Sequence, residues 1–210
     1  MPAKIKGTDA IIVSSNFEST LDTHFATKFN TQLASADVGS NVIEYIAGEC
    51  DGSTVSTSNG NITFPNVTAG EDLTTTYADF SGSVINYQPP SNATKVIYRF
   101  QPYMSFHSTN GISHARLYFD GNEIVYARST QCASYMQRSE SLEWVFHITG
   151  TTDYNTGNLA SWDSAKTLKW QIREYGASNQ VRIHQTYWWD GTGGNQFHRP
   201  KLEIIAMKDA

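Results

Sequence analysis

ARLYFDGNEIVYAR, residues Ala115–Arg128, decides the fold class. Leu117 and Phe119 alternate with polar neighbours into Asp120-Gly121-Asn122, and Ile124 and Tyr126 continue the alternation beyond it. A period of two interrupted by Asp-Gly is the signature of a β-hairpin, because both turn positions need a positive φ that few residues adopt cheaply. The same period extends outward in both directions. In KVIYRFQPYMSFH (Lys95–His107), Val96, Tyr98 and Phe100 face one way and Ile97, Arg99 and Gln101 the other. Pro102 lies within that run, so the strand bulges there or lies at an edge.

Downstream, Leu142, Trp144, Phe146 and Ile148 alternate, as do Leu168, Trp170 and Ile172. Val181 and Ile183 begin a set that parity continues through Gln185, Tyr187 and Trp189, and Leu202, Ile204 and Ala206 share one face of the last run. Upstream, VIEYIA, GSTVSTS, GNITFPNV and TTTYADFSGSVINY read as short strands between turns. Eight to ten strands with regular turn signals predict an all-β sandwich. That number of antiparallel strands, with some long connections, favours a jelly roll over an immunoglobulin-like fold, whose Cys…Trp…Cys pattern is missing.

The first 41 residues follow a different rule. Phe17, Leu21, Phe25, Phe29 and Leu33 recur at every fourth position, lining one face of a helix, and Ser15 with Glu18 forms a capping-box pair at its start. ASADVGSN (Ala34–Asn41) reads as a linker. The expected organisation is an N-terminal arm over residues 1–41, with a short amphipathic helix, followed by a β-sandwich head over 42–210. So short a helix needs a surface to pack on: the head, other copies of itself, or a larger assembly.

Composition narrows the function classes. Of the 210 residues, 17% are charged and 12% aromatic, which suits strands better than charge-laced helices. A net charge of −5 argues against a nucleic-acid partner. No apolar run is long enough to span a membrane, and Ile11–Val13 is too short for a secretory core, so the expectation is a chain that remains in the cytoplasm where it is made or leaves by a route without a signal. Cys50 and Cys132 have no companion cysteines or paired histidines and read as two free thiols; no metal ligand set and no cofactor is expected.

The search for chemistry gives little. His107, His114, His147, His184 and His198 are scattered through strands, with His147 and His184 opposite the apolar stripes. Glu143 and Glu174 form a conceivable glycosidase pair, but both sit at solvent-facing strand positions. TTDYNTGN (Thr151–Asn158) is too poor in carboxylates for a calcium loop. The chain reads as a non-enzyme. As sugar-stacking platforms Trp162, Trp188, Trp189, Tyr135 and Tyr154 are candidates, with Asp190 and Asn195 as hydrogen-bonders. Trp188 and Trp189 cannot share one face: parity assigns Trp189 to the core and leaves Trp188 outward beside Arg182, His184 and Thr186. There it meets another subunit or a ligand.

From Val42 onward the chain resembles structural proteins of tailed phages, especially marine ones. The resemblance rests on IEYIAGECDGSTV, GNITFPNVTA, SVINYQPPSNATKVIYRFQ, ISHARLYFDGNEIVYAR, LEWVFHITGTTDYNTGNLASWDSAKTLKWQIREY and TYWWDGTGGNQFHRPKLEIIAM, in that order. It implies a virion appendage whose tumour-necrosis-factor-like jelly-roll head forms a homotrimer. Trp188, Tyr118 and Tyr103 are then expected between subunits, with His184 beside Trp188, and the arm (Phe17, Leu21, Phe25, Phe29, Leu33) would anchor the head on capsid or tail proteins. A spike, head fibre or capsid decoration fits so short an arm. The alternative is a tail-fibre head that binds a host receptor or surface glycan; a depolymerase is a third class.

Overall fold

The computed structural model of the chain describes residues 41–189 and 195–209, and every regular element among them is a β-strand. The expected helix on Phe17 to Leu33 lies outside the described residues. The first sheet has the order β1 (Val42–Glu49), β16 (Lys201–Met207), β7 (Lys95–Gln101), β12 (Leu142–Ile148) and β13 (Asn158–Leu159). The second runs β10 (Asn122–Ala133), β9 (Gly111–Phe119), β14 (Lys166–Glu174) and β5 (Ala78–Asp79), with β6 (Ile85–Tyr87) also on β14. A third comprises β11 (Met136–Ser139), β8 (Tyr103–Phe106), β15 (Val181–Ile183) and β4 (Glu71–Asp72). A small hairpin of β2 (Thr54–Thr57) and β3 (Gly60–Thr63) completes the set.

The second and third sheets are segments of one longer ribbon. Pairing keeps a single register from Met104↔Ile183 and Phe106↔Val181 through Ser113↔Glu174 to Phe119↔Leu168. The ladder lapses only between, where chain segments 107–112 and 175–180 pass each other. Pro102 is the switch between layers. Lacking an N–H, it ends β7 in the first sheet, and Tyr103 opens β8 in the third.

The opening hairpin forms as its sequence requires. Asp120 and Gly121 have φ of 48° and 85°, and Phe119 pairs with Asn122 across them. This is the two-residue turn whose twist matches that of the flanking strands.

The layers are sandwich-like, and their inner faces follow the alternation read above. Val96, Tyr98, Phe100, Leu202, Ile204 and Ala206 of the first sheet are buried, as are Leu117, Phe119, Leu168, Trp170 and Ile172 of the second. Aromatic rings interlock between the sheets. Phe119 meets Phe146 at 5.4 Å between centroids, and Phe80 meets Phe100 edge-on at 5.0 Å. Trp162 sits at this junction, 3% exposed, edge-on to Phe119, Phe146 and Tyr87, with its indole N–H on the Tyr87 carbonyl. It is a core residue, so its expected place among exposed stacking platforms is corrected: the turn carrying it packs its indole against rings of both sheets.

One buried serine ties the layers by hydrogen bonds. Ser83 Oγ donates to the Trp170 carbonyl (3.2 Å) and accepts from the Trp170 amide (3.1 Å), while its own carbonyl accepts the Tyr98 hydroxyl. Both cysteines are free; Cys50 is buried with its thiol on the Gly82 carbonyl, and Cys132 is exposed.

Candidate functional site

Beyond Ile183 the alternation does not continue. His184 adopts φ 60°, and β15 ends at the residue before it. That left-handed residue resets the parity as far as Thr186. His184 and Thr186 therefore turn inward and are buried, whereas Trp189 is 54% exposed. Two expectations are corrected together: Trp189 is not core, and His184 is not on an outward face.

His184 lies against the rings of Phe80 and Phe100, its Nε2 2.8 Å from the Ser81 carbonyl. A carbonyl only accepts, so Nε2 carries a proton and donates it to this bond. Nδ1 is buried with no partner, and burial lowers the pKa to about 4. This histidine is structural. Around it, its amide donates to the Tyr103 carbonyl (2.7 Å), the His198 amide donates to its carbonyl (2.8 Å), and the Tyr103 ring stacks on His198 at 4.0 Å. Tyr103 is half-buried there, lining a groove of about 430 Å³ with Gln101, Ser139, Glu140, Arg199 and Lys201.

Trp188 belongs to a different cluster. Three loops supply it: the end of β8, the turn between β10 and β11, and the chain after β15. His107 stacks on Tyr187 with centroids 4.7 Å apart and 6° between planes. Tyr187 meets Trp188 edge-on at 4.6 Å, and Trp188 meets Tyr135 at 5.7 Å. Trp188 and Tyr135 remain 41% and 56% exposed. The Tyr187 amide is held by Gln137 Oε1 at 2.7 Å, so the run of rings is fixed to β11.

At the inner end of this run the lapse in the long ladder opens a polar cleft of about 310 Å³. Asp72, His107, Glu174, Gln180, Arg182 and Tyr187 line it. Arg182 makes two bonds to Asp72 (2.5 and 2.9 Å), a third to Asn195 Oδ1 (3.2 Å), and packs over the Tyr187 ring. The Arg182 hydrogen bond holds the Asp72 carboxyl below its ordinary range. Glu174, expected at a solvent-facing position, is 8% exposed, because it continues the inward set of Leu168, Trp170 and Ile172 to the end of β14. Burial raises its pKa, and the Val181 amide and His107 partly offset that rise.

Tyr118 stands apart from both clusters, half-buried on the outer face of the second sheet. Its neighbours there are ionic: Arg116 and Arg128 on Glu123, Lys166 on Asp120, and Lys169 on Asp79. Phe17, Leu21, Phe25, Phe29 and Leu33 lie outside the described residues, as does Asp190. Among the described residues no three His, Cys, Asp or Glu side chains converge on a common point, as a metal ion would need. In the Thr151–Asn158 turn, Asp153 already accepts from Asn155 and Thr156. The cleft was not foreseen from the residues. Nothing in the alternation couples Asp72 to Arg182, and the only available signal was the outward parity of Arg182.

No protein-family model matches the chain, and no curated protein matches it. Among solved structures, a chain of infectious bursal disease virus, Gx strain, aligns over 75% of this chain and 42% of its own, with 10% identity and a TM-score of 0.28. An exo-beta-1,3-galactanase from Phanerochaete chrysosporium, solved with galactose, aligns over 78% of this chain and 29% of its own, with 9% identity and a TM-score of 0.20. Likeness at these TM-scores carries no argument about fold or function, and this chain spans less than half of either.

Proposed function

We propose that the chain is a non-enzymatic structural protein of a phage virion, a trimeric jelly-roll head carried on its N-terminal arm. The observation that carries the trimer lies on the outer face of the first sheet. Tyr45 pairs with Ile205, Ile205 with Ile97, and Ile97 with Val145, so one register row sets four apolar side chains across four strands. Tyr45, at the edge, is exposed and the other three are half-buried. The neighbouring row, Ala47, Glu203, Arg99 and Glu143, is ionic, with Arg99 bound to both glutamates. An apolar row bordered by a polar one is the anatomy of a subunit interface. The outer face of the second sheet, where Tyr118 lies, satisfies its own charges and is the weaker candidate.

Strand order supports the jelly roll. Taking each long strand with its continuation leaves eight: residues 42–49, 71–87, 95–101, 103–119, 122–139, 142–148, 166–183 and 201–207. They are ordered first-eighth-third-sixth in one layer and fifth-fourth-seventh-second in the other. Pairing first with eighth, second with seventh, third with sixth and fourth with fifth is what a double Greek key requires. The sequence resemblance supplies the virion context. Light scattering of the full-length protein after size exclusion tests the trimer: a trimer is expected, reduced to monomer by Ile205→Lys without loss of the β-sheet spectrum. A monomeric wild type overturns it. Immunogold labelling tests the virion role, and unlabelled particles overturn that.

A second reading, host attachment, is favoured by the exposed ring cluster of Tyr135, Tyr187 and Trp188. It predicts that the purified protein decorates susceptible bacterial cells.

A further inference from the structure

We propose that the cleft between Asp72, Glu174 and Arg182 binds a neutral saccharide, with Trp188 and Tyr135 as its outer platform. The inference rests on the attachment reading and names the ligand class. The cleft is built before any ligand arrives. Arg182 is fixed by three hydrogen bonds and His107 by its stack on Tyr187, so their donors and acceptors are already oriented. About 310 Å³ lies at the small end of ligand cavities, enough for one or two sugar rings.

The charges select among ligand classes. Arg182 is neutralised by Asp72 through two parallel bonds, which leaves no free cation for a phosphate, sulfate or uronate. Glu174 beside them repels an anion further. A cationic ligand fares little better, because the Asp72 carboxylate is engaged and the Glu174 carboxyl is buried. What remains suits hydroxyl groups, which donate and accept at once: carboxyl oxygens on Asp72 and Glu174, and the Gln180 amide. Two observations therefore point to a ligand independently. One is a carboxyl group more than nine-tenths buried at the cleft wall; the other is the run of rings that leads from the cleft to the exposed Trp188 and Tyr135.

The rings complete the fit. Saccharides present hydroxyls at their edges and C–H groups on their faces, so they bind where polar groups border an aromatic plane. The aromatic run leads from the cleft out to Trp188 and Tyr135, where a second or third sugar unit of a chain would lie. Tyr187, clasped between His107 and Arg182, joins the two parts.

The test uses full-length protein on an array of neutral and anionic oligosaccharides, alongside Trp188→Ala and Gln180→Ala, and in parallel on susceptible cells. Trp188 is exposed and Gln180 sits at the rim of the cleft, so neither truncation threatens the fold; circular dichroism verifies this. Wild type is expected to hold at least one neutral glycan, with affinity falling about tenfold or more in each variant. The proposal is overturned if no neutral glycan is held, if only anionic ones are, or if both variants bind as wild type does. Cell binding without glycan binding overturns the saccharide and leaves attachment standing; glycan binding without cell binding does the reverse.

Discussion

The hydroxyl of Tyr98, buried at the middle of β7, donates to the carbonyl oxygen of Ser83, whose own hydroxyl is bonded to both backbone groups of Trp170 on the other layer. Three residues from three separate parts of the chain thus share one dry polar node. Dry nodes of this kind are costly to leave half-made, because the orphaned group keeps its desolvation penalty.

Ser83→Ala is expected to cost about 1–3 kcal/mol, since the buried Trp170 amide loses its acceptor. Tyr98→Phe, which strands the Ser83 carbonyl, falls in the same range. The double variant should cost less than the two together, because both changes break one network. Urea denaturation of the head reads all three, and strictly additive losses would contradict a shared node.

Acid should weaken the protein through His184. Its folded pKa is depressed to about 4 because a second proton would sit on a buried Nδ1 with no acceptor. The unfolded chain binds that proton near pH 6.5, so stability is fully present above 6.5 and is lost as pH falls towards 4. The loss approaches about 3 kcal/mol for this one group. Subtracting the pH profile of His184→Phe from that of wild type should isolate it, and a flat difference between pH 7 and 4 would refute the assignment.

The two thiols should part sharply in reactivity. Burial pushes Cys50 up to about 12, and its thiol is engaged by the Gly82 carbonyl, whereas Cys132 is exposed on β10. A disulfide reagent at pH 8 is expected to label one thiol per chain promptly and the second only on unfolding. Cys132→Ser should abolish the prompt phase.

Gly157 and Gly121 separate backbone strain from crowding. Both have positive φ, 78° and 85°, but an added methyl at 157 runs into the Trp144 indole, while at 121 it meets open space. Gly121→Ala should cost about 1 kcal/mol, and Gly157→Ala clearly more, as measured by thermal denaturation. Equal losses would mean that the indole yields freely.

What the sequence disclosed was whatever a period of two controls. Leu168, Trp170 and Ile172 announce their burial because their strand is paired on both sides along that stretch, and the Asp120-Gly121 turn announces itself through φ. The period fails at His184, where one left-handed residue inverts the faces, and beyond Thr186 both Trp188 and Trp189 are exposed. Trp162 was misplaced because it lies on a turn, where no strand alternation reports burial, whereas Glu174 continues the inward set of Leu168, Trp170 and Ile172 and was misread from its charge. The cleft was illegible because it depends on which strands become neighbours. Asp72 and Arg182 meet only through the pairing of β4 with β15, a tertiary fact with no local trace.

The last strand among the described residues is an inner strand of its sheet. β16 lies between β1 and β7 and bonds to both. As the chain leaves the ribosome, Val42–Glu49 and Lys95–Gln101 wait with open edges until residues 201–207 arrive to join them. Loss of residues 201–207 removes the strand that joins β1 to β7, and leaves both with an unpaired edge.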